Sequence, residues 1–136
     1  MIKFDEMHVG NYVMTHIDGT DQIGKVVNLN YANKQTAIDN GVQVFWFEVD
    51  DLSPLTINDT ILTQDLKFSK VVNDDGTVKY MKGAFRTLIP KENDFSRMEI
   101  WYRDETRHIK NQISVHEFQN HFEEMTKVVL DETNFK

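Results

Sequence analysis

The chain has 136 residues, no cysteine, 40% hydrophobic and 11% aromatic residues and a net charge of −7; that length suits one domain with an apolar core, and without cysteine there are no disulfides, thiolate nucleophiles or cysteine-ligated metal centres. Acidity lies at the two ends: residues 1 to 57 carry 3 basic and 8 acidic side chains, 58 to 113 carry 10 and 9, and 114 to 136 carry 2 and 5. A surface for bulk duplex nucleic acid is therefore not expected, because such binding releases counterions against a basic face.

In chain order, Tyr12–Thr15 reads as a first strand ended by the turn signal Ile17-Asp18-Gly19-Thr20. A second strand, 23–31, alternates with period two and places Ile23, Lys25, Val27, Leu29 and Tyr31 on one face, with Gly24 as a site for a bulge or bend. The strand 34–38 leads into Asn40-Gly41, which the spacing predicts as a type I′ hairpin turn. Beyond it, Val42–Val49 is apolar on both faces, the pattern of a central strand covered twice. These short, bent strands imply an SH3-like barrel or curled sheet over residues 1–55. Pro54 stops the last of them, and Thr56 stands three residues before Asp59, a capping spacing that predicts a linking helix within 56–67 carrying Ile57, Ile61, Leu62 and Leu66 on one side.

Residues 68–113 read as an antiparallel meander of three or four strands. Lys67–Val72 and Thr77–Met81 flank the turn Asn73–Gly76, Ala84–Ile89 follows Gly83, Arg97–Arg103 sets Met98, Ile100 and Tyr102 against Glu99, Trp101 and Arg103, and Arg107–Ile113 comes last. A helix over 114–130 closes the fold. Ser114 and Glu117 have capping-box spacing, Ile113 and Phe118 form a hydrophobic staple, and Val115, Phe118, Phe122, Met125 and Val129 make a stripe that covers the meander. The opposite side carries the row His116, Asn120, Glu123 and Lys127, and the tail 131–136 is expected to fray. The expectation is thus a single α+β domain spanning 1–136. Its opening Met1–Glu6 lacks a signal-peptide apolar run, and no stretch approaches the roughly 18 to 20 apolar residues of a membrane span, so a cytoplasmic protein without membrane contact is expected.

No catalytic constellation is expected. His116-Glu117 and His121 miss the zinc-hydrolase pattern, since histidines five apart diverge by about 140° around a helix. Glu117, His121 and Glu124 share a face but have the spacing of ordinary surface pairs, and Glu48, Asp50 and Asp51 read as a solvated turn. His8, His16 and His108 lie in no triad pattern, and Ser53, Ser69 and Ser96 in no nucleophile elbow. Neither a metal nor a cofactor is expected. Aromatic and basic residues alternate at Lys79-Tyr80-Met81-Lys82, Phe85-Arg86 and Trp101-Tyr102-Arg103. This pattern suits a stacking face for single-stranded nucleic acid or a peptide, or a core with Phe85, Trp101 and Tyr102 inside and cations at its edge.

Three stretches resemble a family of small uncharacterised bacterial proteins, many encoded in phages or mobile elements. Val9-Gly10-Asn11-Tyr12-Val13 is similar to its opening I-G-N-x-V. Asp51-Leu52-Ser53-Pro54-Leu55-Thr56 resembles its D-L-x-P-I-P-L-T junction, shorter here by two residues, and Val115–Phe122 resembles V-H-x-L-Q-N-x-Y. The resemblance implies no activity or catalytic residue, and a setting as a prophage accessory protein. The reading is a non-enzymatic interaction module that takes a protein partner or a second copy of itself, with candidate binding residues Lys82, Arg86, Trp101, Arg103, His116 and Asn120. The alternatives are single-stranded nucleic-acid binding through the basic, aromatic middle third and a divalent-metal-dependent enzyme.

Overall fold

The structure is a computed structural model that describes residues 2–131; the expected frayed tail falls, from residue 132 on, outside the described residues. The protein is α+β, with two antiparallel five-stranded sheets and one C-terminal helix. It divides into two compact units, the chain up to Thr56 with Ser114–Asn120, and Ile57–Ile113 with the chain from His121 on. Among the described residues no helix is long and apolar enough to cross a membrane.

The first unit holds β1 (Tyr12–Ile17), β2 (Thr20–Asn30), β3 (Gln35–Asp39), β4 (Val44–Glu48) and β5 (Leu52–Ser53), in the sheet order β4-β3-β2-β1-β5. Its core is Ile2, Met7, Val13, Val26, Ile38, Phe47 and Leu52. Several expectations need correction. The type I′ turn lies at Asp18-Gly19, where both φ angles are positive (50° and 78°), whereas at Asn40-Gly41 only Gly41 is (φ 94°). There Asn40 Oδ1 accepts from the amides of Val42 and Gln43 and lengthens the loop. Along β2, Val26 is fully buried while Ile23 and the following Tyr31 are exposed, and a register shift between Val26 and Asn28 breaks the expected alternation. Gly24 serves close approach rather than bending, since a Cβ there would lie 2.2 Å from Ile38 Cγ2. Finally, β4 is an edge strand, not a central one.

The helix α1 spans Val115–Thr126. It stops short of the expected Leu130 because Lys127 adopts a left-handed conformation (φ 65°), which takes Val129 off the stripe and Lys127 off the polar row. Val115, Phe118, Phe122 and Met125 are buried as the stripe requires. Ser114 donates its amide to Glu117 Oε1 (3.0 Å), the expected half of the box. Its hydroxyl donates to the same oxygen at 2.8 Å. Within the first unit, the helix holds the approach to β1 through buried amides. Gln119, 2% exposed, accepts from the Tyr12 amide and donates to the Gly10 carbonyl, each at 2.8 Å. Asn120 donates to the Glu6 carbonyl (2.8 Å) and accepts from Asn11 Nδ2 (3.0 Å).

In the second unit the linking helix is shorter than expected, a π-helical segment Ile61–Asp65 that is capped by Asn58 Oδ1 on the Ile61 amide (2.9 Å) rather than by Thr56. Asp59, freed from capping, accepts from the buried Tyr80 hydroxyl (2.6 Å) and pairs with Lys70 (2.9 Å). The meander has five strands, β6 (Ser69–Val72), β7 (Val78–Lys82), β8 (Phe85–Ile89), β9 (Met98–Tyr102) and β10 (Glu105–Ile109), in sequential order. The last begins and ends earlier than expected, because Arg103, at φ 56°, turns the chain back. Phe122 covers the buried face, its ring 4.6 Å from that of Phe85 and 6.3 Å from that of Phe68.

Replacing Gln119 by leucine strands the Tyr12 amide and the Gly10 carbonyl in the interior, at about 1 to 3 kcal/mol for each unpaired group. Chemical denaturation of Gln119→Leu is expected to show a loss of roughly 3 kcal/mol.

Candidate functional site

The longest run of exposed apolar side chains in the first unit lies on and beside β4. Val42, Val44, Phe45 and Trp46 are 88%, 50%, 38% and 48% exposed, and only Phe47 (8%) turns fully into the core. β4 pairs with β3 alone, from Gln35↔Glu48 to Asp39↔Val44. Among the described residues no strand lies along its other side, so part of its backbone faces solvent. Protein sheets usually blunt such edges with short strands, lysines or proline. The opposite edge is treated in that way, since β5 has two residues and is followed by Pro54. β4 carries no lysine and no proline. From Gln35 to Leu66 the chain holds six carboxylates (Asp39, Glu48, Asp50, Asp51, Asp59, Asp65) and no lysine, arginine or histidine.

The six candidate residues do not converge. Arg86 and Trp101 are direct cross-strand partners, both half-buried. The guanidinium of Arg86 is also committed to the carbonyls of Gly83 and Phe85. Arg103 sits in the β9–β10 turn with its guanidinium 5.1 Å from the Tyr102 ring centroid. Lys82 turns inward, 3.4 Å from the Leu66 carbonyl and 5.9 Å from the Phe68 ring centroid, and burial lowers its pKa to about 8. Phe85 is fully buried, while Trp101 and Tyr102 are only partly covered. His116 and Asn120 lie in the first unit and face inward, Asn120 bonded as described and His116 only 2% exposed. A concavity of about 660 Å³ at the ends of β8, β9 and β10 is lined by none of the six.

Among the described residues no group of three or more His, Asp or Glu side chains could hold a metal ion. Glu117 is engaged with Ser114, whereas His121 Nδ1 and Glu124 Oε1 receive Arg107 Nη1 at 2.9 and 2.8 Å. One constellation is not visible in residue spacing, which puts His16 in no triad pattern. His16 Nδ1 lies 2.5 Å from Asp21 Oδ1 and its Nε2 lies 2.5 Å from Ser53 Oγ. The two-residue turn at Asp18-Gly19 sets His16 opposite Asp21, a pairing legible in the sequence. The third member depends on β5 pairing with β1, which no local signal announces.

His116 is the buried titratable group of the first unit. Its Nδ1 is 2.9 Å from Ser114 Oγ, which itself donates to Glu117, so Nδ1 carries the proton. Nε2 has no hydrogen-bond partner and lies 3.7 Å from Glu6 Oε2. Burial lowers the imidazole pKa below 6.5, outweighing the upward pull of Glu6 and Glu117. The unfolded chain takes up a proton at about pH 6.5 that the native state refuses until a lower pH. This contribution is therefore complete above about pH 6.5 and is lost as pH falls toward the lowered native value. Between pH 7 and 5 the melting temperature should fall, and His116→Gln should flatten that part of the profile.

No protein-family model, no curated protein and no solved structure matches this chain.

Proposed function

We propose that this protein is an interaction module whose β4 edge takes up an extended, apolar segment of a partner protein, rich in lysine and arginine, as an added strand. The observation that carries the proposal is β4 itself, an unblunted edge strand with Val44, Phe45 and Trp46 exposed. Strand addition draws affinity from the free backbone groups and specificity from alternate side chains. Charge selects the occupant. Glu48, Asp50 and Asp51 are all exposed, within a 32-residue stretch, Gln35 to Leu66, that lacks any cationic side chain. A second copy would lay one acid-only segment against another, whereas a basic strand meets attraction. We read the first unit as SH3-like, supported by five strands in the order β4-β3-β2-β1-β5 with a 3-10 turn, Val49–Asp51, before the last. An accessory protein of a phage or mobile element, whose partner is a host or phage protein, is the setting that fits this reading.

A fluorescein-labelled decapeptide of alternating valine and lysine is expected to bind, with fluorescence anisotropy as the readout, and its valine–glutamate counterpart is not. Trp46→Ala should weaken binding about 30-fold, the effect of losing roughly 2 kcal/mol at a central aromatic contact, with an unchanged circular dichroism spectrum. Failure of the lysine peptide to bind the folded protein would overturn the proposal. So would a dimer in light scattering that Val44→Lys dissolves, which assigns the edge to a second copy. Capture of oligothymidylate that is lost in Arg86→Ala, with no peptide binding, would move the function to the Arg86–Trp101 face of the second sheet.

A further inference from the structure

The first sheet carries a second arrangement that strand addition does not use. Ser53, His16 and Asp21 lie on three adjacent strands, β5, β1 and β2, so sheet register fixes their order. His16 stands opposite Asp21, and Ser53 stands opposite Met14, two residues before His16 and on the same face. The tautomer follows from the partners. An ionised Asp21 can only accept, so His16 Nδ1 bears a proton; in the neutral imidazole Nε2 then presents a lone pair, and the Ser53 hydroxyl donates to it. Hydroxyl, imidazole and carboxylate joined in this order are the parts that activate a serine for acyl transfer.

We propose that Ser53 is a nucleophilic serine that accepts acyl groups from esters, with His16 as its general base and Asp21 as a positioning residue. The group is open to solvent, with the His16 and Asp21 side chains 42% and 63% exposed. The residue after the nucleophile is Pro54, which has no N–H to offer a developing oxyanion. The substrate class that suits such a site is activated esters such as aryl esters, whose electrophilic carbonyl and good leaving group demand the least stabilisation from the protein. In the first step Ser53 Oγ forms a bond to the carbonyl carbon while its proton passes to His16 Nε2. The ester C–O bond then breaks, and the departing oxygen takes the proton from Nε2, leaving acyl-Ser53. Water, deprotonated by His16, cleaves the acyl group as a carboxylic acid and restores the hydroxyl.

The test exposes the full chain to 4-nitrophenyl acetate, follows phenolate release and maps acetylated residues by mass spectrometry. Acetyl-Ser53 is expected in the wild-type protein. His16→Ala should slow Ser53 acetylation by about 100-fold, and added imidazole should restore part of the rate. Asp21→Asn should slow it as well, with Asp21→Glu recovering it at unchanged melting temperature, a rescue that a merely structural role would not give. Absence of acetyl-Ser53 in the wild-type chain would overturn the proposal, as would equal Ser53 labelling in a folded His16→Ala variant.

Discussion

Backbone N–H and C=O groups must be paired or left to water, and in the first unit that accounting sets the layout. The chain enters β1 with the Gly10 carbonyl and the Tyr12 amide in the interior, and one side-chain amide, Gln119, satisfies both. Asn120 does the same for the Glu6 carbonyl. With its entry fixed, β1 can align β2 on one side and β5 on the other, and both pairings are needed to bring Asp21 and Ser53 to His16. The sheet then ends at β5, which is too short to offer a ladder, and at β4, which is not. The helix thus acts within this unit as a hydrogen-bonding partner.

The charge pattern gives that open edge its meaning. An exposed run of Val44, Phe45 and Trp46 would by itself be an aggregation hazard. In this chain it is followed by the exposed carboxylates Glu48, Asp50 and Asp51, and β4 itself carries no cation, so self-pairing is opposed and a cationic strand is favoured. The same separation distinguishes the two sheets, since the basic residues cluster in the second. There Lys70 is drawn to Asp59 and Arg107 to Glu105 and Glu124, which ties these two cations into ion pairs within the second unit.

What could be read from the sequence was local. The α1 start at Ser114 and Glu117, the hairpin at Asp18-Gly19 and the alternation of Met98 and Ile100 against Glu99 all depend on residues a few positions apart, and the structure has them. The place of β4 was not legible, because a strand apolar on both faces reports its composition and not whether another strand lies beyond it. Strand order decides that, and strand order is set by distant pairings. His116 lies on the polar row of α1 yet is buried, and Glu6, 110 residues earlier in the sequence, comes within 3.7 Å of it. The Ser53–His16 contact likewise spans 37 residues and two strand pairings. The single face expected for 23–31 breaks for a local reason, the register shift between Val26 and Asn28 that ends the period-two rule.

The central claim is that the outer backbone of β4 is unsatisfied in the isolated chain and becomes paired by an added basic strand. Residue-resolved amide hydrogen exchange across Val44–Glu48 measures this directly. In the free protein alternate amides, those turned away from β3, should exchange quickly, and saturating valine–lysine peptide should slow them while leaving the amides already bonded to β3 unchanged. Uniform protection along β4 in the free chain, or fast exchange that the peptide leaves untouched, would contradict it.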